Sequence, residues 1–162
     1  MKLPFEVFYD EFFKENEVEK IRKFDTGATR DTDEGKLEIA WAAGFYDGEG
    51  SISCGSNNGN PHTRIQLGIG QKNYNGEISD TLKKFKKIVG CGHIYQKTKT
   101  GKEINQHQFI ISKSSDVKLA LNLLWQHLST AKKEQARLAI HLFEDGIKKL
   151  NLKLSEKKNE NI

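Results

Sequence analysis

The chain has 162 residues, of which 36% are hydrophobic and 30% are charged, and these proportions are typical of a globular protein with a core. Its formal net charge is +4, and because acids outnumber bases before residue 37, the remainder is more strongly basic, which favours a nucleic-acid partner. Two cysteines form neither a disulfide framework nor a CxxC metal site, and no apolar run predicts a membrane span.

The first 36 residues are predicted to form an extension. Phenylalanines fall roughly on one side of an amphipathic helix at 5–21, and the polar, glycine-containing stretch 22–36 is predicted to be a linker. The N-terminus lacks the apolar segment and cleavage site of a signal peptide. We therefore expect the protein in a reducing cytoplasm.

From residue 37 the sequence predicts an apolar helix that ends in an acidic, glycine-rich turn. Ala40, Gly44 and Gly48 place a small residue at every fourth position, which would let a second backbone approach closely. Asp47 and Glu49 follow at the C-terminal end, where the helix dipole disfavours negative charge. A metal cation is the expected compensation.

The rest of the chain alternates between strand and helix patterns. Strands are predicted at 51–56, 62–72, 93–99 and 104–112, and helices at 78–89, from an N-cap at Ser115 or Asp116, and at 132–150. The order is therefore αββαββαα, which belongs to the α+β class.

Residues 42–50, Ala-Ala-Gly-Phe-Tyr-Asp-Gly-Glu-Gly, resemble the LAGLIDADG motif of homing endonucleases. Asp47 and Glu49 stand for its two acids, whereas Ala42 and Tyr46 are looser matches. The resemblance implies the family's α+β fold, in which a curved four-stranded antiparallel sheet forms a DNA-binding saddle. The endonuclease domain would span 37–154, between the 1–36 extension and a polar tail at 155–162.

The resemblance also implies the site residues. Glu49 and the carbonyl of Gly48 would bind Mg²⁺ or Mn²⁺, which prefer oxygen ligands. Gln71 matches a glutamine that orders active-site water, and Lys132, in a K-x-x-Q-A-x-L segment, matches a lysine that reaches the cleavage centre. Asp47 would brace the turn. Each assignment has a plainer alternative. Asp47 to Gly50 would be an ordinary turn, Gln71 a polar residue at a strand end, and Lys132 a solvated residue at a helix start.

Two surfaces are also predicted. The solvent face of the sheet would contact DNA, since a two-stranded ribbon fits the major groove, although polar strand faces are often only solvated. Its expected members are Ser51, Ser53, Asn57, His62, Arg64, Gln66, Tyr95, Lys97, Gln106 and Gln108. The dimer interface is expected to contain Ala40, Ala43, Gly44, Asp47 and Gly48.

The resemblance implies an intron-encoded, site-specific endonuclease that acts on a long pseudo-palindromic DNA site as a homodimer. The alternative is a nuclease-silent DNA- or RNA-binding protein of the same fold, such as a maturase or a transcription regulator. Residues 22–36 resemble the start of a phage-encoded deoxynucleotide-hydrolase-like protein. On this interpretation the stretch is upstream exon sequence that continues in frame into an intron-encoded nuclease. The alternatives are an intein or a chance match. We accordingly expect a nucleoid-associated protein in a bacterial or phage-infected cell.

Overall fold

The computed structural model describes residues 32–160, and the helix predicted at 5–21 lies outside them. The helices and strands follow in the order α1 (Asp33–Glu49), β1 (Gly50–Asn57), β2 (Asn60–Lys72), α2 (Asp80–Val89), β3 (His93–Lys99), β4 (Lys102–Ile111), α3 (Ser114–Leu124), a short 3₁₀ turn (Trp125–His127) and α4 (Thr130–Glu160). No helix in this part of the chain is long and apolar enough to cross a membrane.

The four strands form one antiparallel sheet in the spatial order β1-β2-β4-β3. Because side chains alternate between the two faces of a strand, Ile65, Leu67 and Ile69 of β2 all point to one face, and each is at most 3% exposed. Phe109 and Ile111 of β4 extend the same buried layer. The predicted α+β fold with a four-stranded antiparallel sheet is confirmed.

Helix α1 packs on the core with one face and leaves another face exposed. Ile39, Ala42 and Tyr46 are in the core, whereas Leu37 is 73% exposed. The helix therefore turns its small-residue stripe away from the core.

Three boundaries differ from the sequence prediction. Helix α1 begins at Asp33 because the Thr32 hydroxyl accepts a hydrogen bond from the Gly35 N–H at 3.0 Å, so residues 33–36 are helical and not part of a linker. Helix α3 begins at Ser114 without a side-chain cap bond, and the predicted N-caps were wrong. Helix α4 continues through residues 155–160, where a polar tail was expected.

Candidate active site

The C-terminal end of α1 presents a carboxylate to solvent. The last helical hydrogen bond runs from the Gly50 N–H to the Tyr46 carbonyl, so the carbonyls that follow have no donor within the helix. Glu49 is exposed, and its carboxylate forms no hydrogen bond or ion pair with any residue in the range 32–160. The negative helix terminus and this carboxylate together favour a cation.

Asp47 has a separate role within its own subunit. Its Oδ1 atom accepts a hydrogen bond from the Ser129 N–H at 2.8 Å, although the two residues are far apart in sequence. This contact joins the end of α1 to the start of α4, whereas a brace of the turn itself was expected.

Lys132 extends from the start of α4 to the start of β1. The Ser129 hydroxyl accepts a hydrogen bond from the Lys132 N–H at 3.2 Å and so caps the helix. The Lys132 ammonium group donates to the Gly50 carbonyl at 2.6 Å, and Gly50 directly follows Glu49. The ammonium group of Lys132 therefore binds the backbone at the residue that follows Glu49, and the solvated-lysine alternative does not describe Lys132.

Tyr46 lies beneath this contact and is fully buried. Burial, and secondly the negative charge of Asp47, raise the pKa of the Tyr46 phenol, so the ring remains neutral. A Cβ atom on Gly50 would overlap the Cδ2 and Cε2 atoms of this ring. Only glycine therefore permits β1 to start against Tyr46.

Gln71 lies farther from the helix terminus. It is half-buried on the helix-covered face of the sheet, where it pairs with His107 of β4. Ile69, two residues earlier, pairs with Gly50, which places Gln71 about 7 Å further along β2. No hydrogen bond joins Gln71 to Glu49 or Lys132 among the residues described, so its role at the site stays a prediction.

The donor atoms at the helix terminus are suitable for a hard divalent cation. Mg²⁺ binds oxygen and retains several waters, so one carboxylate, Glu49, and one backbone carbonyl, Gly48, can contribute to its coordination. Gly48 is exposed, and nothing lies within 4 Å of a Cβ atom built on it. Within residues 32–160, no cluster of three or more His, Cys, Asp or Glu side chains could hold a metal ion.

Most of the predicted DNA contacts share the face of the sheet opposite the core. The strand register places Ser51, Ser53, Arg64, Gln66, Tyr95, Gln106 and Gln108 on this face, which we call the recognition face. The side-chain amide of Gln106 occupies the space above Gly70, since a Cβ atom there would lie 2.6 Å from Gln106 Nε2. Glycine on β2 thus makes room for a glutamine from β4.

Three of the predicted contacts lie where the strand register is irregular. Asn57 follows a register shift in β1, and Lys97 lies at a register shift in β3. His62 has a positive φ of 57°. All three are exposed, but the regular alternation of a strand does not assign them to the recognition face.

The small-residue stripe of α1 is open in the single chain. Gly44 and Gly48 are exposed, and no atom lies within 4 Å of a Cβ atom built on either. Ala40 is half-buried. Ala43, however, is 0% exposed because it packs against its own core, so its assignment to the dimer interface was wrong.

Sequence reasoning missed the structural roles of Tyr46 and Asn73. Tyr46 was treated only as a loose motif match, and its position under Lys132 follows from tertiary packing. Asn73 was not singled out, but it is 3% exposed and donates to Gln96 at 3.2 Å. A polar residue at the end of an alternating strand was the available signal.

Comparison with known proteins agrees with this architecture. A sequence profile described as LAGLIDADG endonuclease matches residues 42–140. The homing endonuclease I-TnaI is 26% identical, with a TM-score of 0.50 over 68% of this chain and 81% of that chain. A search of curated protein sequences found no significant match.

Two further structures share the fold. The homing endonuclease I-CvuI, solved in complex with its target, is 23% identical, with a TM-score of 0.52 over 73% of this chain and 71% of that chain. The group I intron-encoded homing endonuclease I-CeuI, complexed with DNA, is 14% identical, with a TM-score of 0.51 over 96% of this chain and 79% of that chain. With the profile match covering more than half of its residues, the chain belongs to the LAGLIDADG endonuclease family.

Proposed function

We propose that the chain is a site-specific endonuclease that cuts both strands of double-stranded DNA as a homodimer with Mg²⁺ or Mn²⁺. The observation that carries this proposal is the hydrogen bond at 2.6 Å from the Lys132 ammonium group to the carbonyl of Gly50, the residue that directly follows Glu49. An exposed carboxylate without a protein partner can bind a divalent cation, and a fixed ammonium group can stabilise charge on a phosphate, so both suit metal-assisted phosphodiester hydrolysis.

Each group has a defined part in the proposed mechanism. Glu49 and the Gly48 carbonyl would hold the divalent cation, which when bound makes water a better nucleophile and stabilises charge on the phosphate. Lys132 would stabilise the charge that develops at the scissile phosphate. Gln71 would orient water at the same end of the sheet.

The open stripe on α1 supports the homodimer. Glycine in a helix costs about 0.5–1 kcal/mol relative to alanine, yet the single subunit has room for a Cβ atom at both Gly44 and Gly48. Contacts within the subunit therefore do not account for these glycines. A second α1 helix packed along Ala40, Gly44 and Gly48 would, and it would bring two Glu49 carboxylates to one cleavage centre.

The recognition face supports DNA as the substrate. It presents Arg64, Gln66, Gln106 and Gln108 on adjacent antiparallel strands, and arginine and glutamine side chains can read guanine and adenine in the major groove. The likeness to I-CvuI and I-CeuI, both described in complex with DNA, agrees with this assignment. Each subunit would read one half of a pseudo-palindromic site.

The genomic origin is a further part of the proposal. We infer an intron-encoded protein of a bacterial or phage-infected cell, acting in the cytoplasm at the nucleoid, and the phage-like stretch at 22–36 supports this origin. Sequencing the transcript would test it, since removal of an intron that contains the Leu37–Leu150 coding region is expected. A continuous mature transcript would contradict the inference.

The decisive experiment compares the wild-type protein with Glu49→Gln on DNA that carries the intronless insertion site. Wild type should cut both strands with Mg²⁺ and not with EDTA, whereas Glu49→Gln should bind normally and lose cleavage by at least 100-fold. Glu144→Gln, at an exposed position on α4, is the matched control and should cut normally. Cleavage retained in Glu49→Gln would refute the site, and specific binding without cleavage by wild type would favour a nuclease-silent protein.

The interface is tested independently by Gly44→Leu. A Cβ atom at position 44 meets no atom within 4 Å, and the position is exposed in the single chain, so the monomer should remain folded while dimerisation is blocked. Sedimentation equilibrium should show a dimer for wild type and a monomer for the variant, with Glu144→Leu as a control that remains dimeric. A dimeric Gly44→Leu protein would place the interface elsewhere.

A further inference from the structure

The tyrosine in the motif segment is unusual for a buried position. Tyr46 is 0% exposed, and its hydroxyl has no hydrogen-bond partner among residues 32–160. A buried polar group without a partner destabilises a fold, and a leucine or isoleucine would fill the core without that cost. We therefore ask which contact the aromatic ring makes that an aliphatic side chain would not.

The ring of Tyr46 has two neighbours at the proposed cleavage centre. It lies against the backbone of Gly50, where any Cβ atom would overlap it. The Lys132 ammonium nitrogen lies 5.5 Å from the ring centroid, within the distance at which a cation is attracted to an aromatic ring. The same nitrogen donates to the Gly50 carbonyl at 2.6 Å, so ring and carbonyl together surround one ammonium group.

We propose that Tyr46 is a positioning residue whose ring, together with the Gly50 carbonyl, holds the Lys132 ammonium group at the start of β1. This inference rests on the proposed endonuclease function. A lysine side chain has four rotatable bonds and loses considerable entropy when it is fixed. The ring contact stabilises the one conformation in which Lys132 reaches the start of β1, and an aliphatic residue at position 46 would release it.

The first test is single-turnover cleavage of the intronless site. Tyr46→Phe keeps the ring and should cut at the wild-type rate, whereas Tyr46→Leu should cut about tenfold more slowly with unchanged DNA affinity. In a Lys132→Met background, Tyr46→Leu should cause no further loss. Phe85→Leu, which also removes a fully buried ring, is the control for loss of a core aromatic residue and should cut at the wild-type rate.

The second test does not require cleavage. In the proton NMR spectrum, ring current should shift the ε-methylene signals of Lys132, assigned by their absence in Lys132→Met. The shift should persist in Tyr46→Phe and disappear in Tyr46→Leu, with Phe85→Leu as the folded control.

Two results would overturn the inference. One is an equal loss of rate from Tyr46→Leu with and without Lys132, and the other is a Lys132 shift that Tyr46→Leu leaves unchanged. A wild-type protein that does not cut any DNA would refute the endonuclease function instead, while the NMR result would still decide the contact between Tyr46 and Lys132.

Discussion

The Asp47 carboxylate accepts a hydrogen bond from the Ser129 N–H at 2.8 Å, and this bond joins the end of the motif helix to the start of α4. Ser129 in turn caps α4 by accepting a hydrogen bond from the Lys132 N–H. The two acids of the motif therefore have different roles. Asp47 fixes the start of the helix that carries Lys132, whereas Glu49 is left exposed.

Asp47→Ala should destabilise the protein and slow cleavage. Loss of a hydrogen-bond acceptor at a helix start costs about 1 kcal/mol, and α4 would no longer be fixed next to Gly50. Asp47→Asn retains an Oδ1 acceptor and should stay within about 0.5 kcal/mol of wild type. Urea denaturation measures the free energy of unfolding of each variant. The control is Asp80→Ala, which removes an exposed ion pair with Lys83 and should change that free energy by less than about 0.5 kcal/mol.

Gly50→Ala tests the packing beneath the site. The added methyl group would overlap the Tyr46 ring, and we expect destabilisation by about 1–3 kcal/mol in urea unfolding. Combining Gly50→Ala with Tyr46→Leu should relieve the overlap, so the double variant should be less destabilised than the sum of the single ones. Gly55→Ala, where a Cβ atom meets nothing within 4 Å, is the control. Additive effects at positions 46 and 50 would contradict the proposed packing.

The fold was largely predictable from the sequence because periodicity reports burial directly. Alternation at Ile65, Leu67 and Ile69 located β2 and its buried face, and all three are in the core. Helix ends were harder to predict, because they depend on which side chain reaches a free N–H. Thr32 does so in the folded chain, but a threonine in a polar stretch is also compatible with a linker.

The site was predictable only in part. The motif matches made Glu49 and Lys132 candidates, but the contact of Lys132 with Gly50 depends on how α1 and α4 pack together. Ala43 was assigned to the interface because it lies next to the small-residue stripe on the helix. Spacing does not reveal which side of that stripe faces the core, since the rotation of α1 is set by the contacts of Ile39 and Tyr46.

Gly70→Ala should alter DNA specificity without unfolding the protein. The new Cβ atom would lie 2.6 Å from Gln106 Nε2, and the flexible end of that side chain can move away. On the proposed recognition face, this should weaken discrimination at one base pair in each half-site by about 1–3 kcal/mol. Binding to every single-base variant of the site measures it, and Gln106→Ala should affect the same position. Uniform weakening at all positions would argue against a base contact by Gln106.

An amide pair, buried at Asn73 and half-buried at Gln96, connects the strands that carry much of the recognition face. The register of β3 and β4 shifts between Gln96 and Thr98, and the Gln96 amide nitrogen donates to the carbonyls of Ile104 and Gln106 at this irregularity, at 3.2 Å for Gln106. Its Oε1 atom accepts from Asn73 Nδ2 at 3.2 Å. The pair thereby links the end of β2 to the β3–β4 hairpin.

Asn73→Leu should therefore destabilise the protein by about 1–3 kcal/mol, because it leaves the Gln96 oxygen without its donor. Gln96→Met should do the same by freeing two strand carbonyls, and the double variant should lose less than the sum, with a coupling of about 1 kcal/mol. The exposed pair in which Arg64 donates to Gln66 at 3.2 Å is the control, and its coupling should be below about 0.5 kcal/mol. Urea unfolding of both cycles measures the difference, and equal couplings would show that burial adds nothing to the Asn73–Gln96 contact.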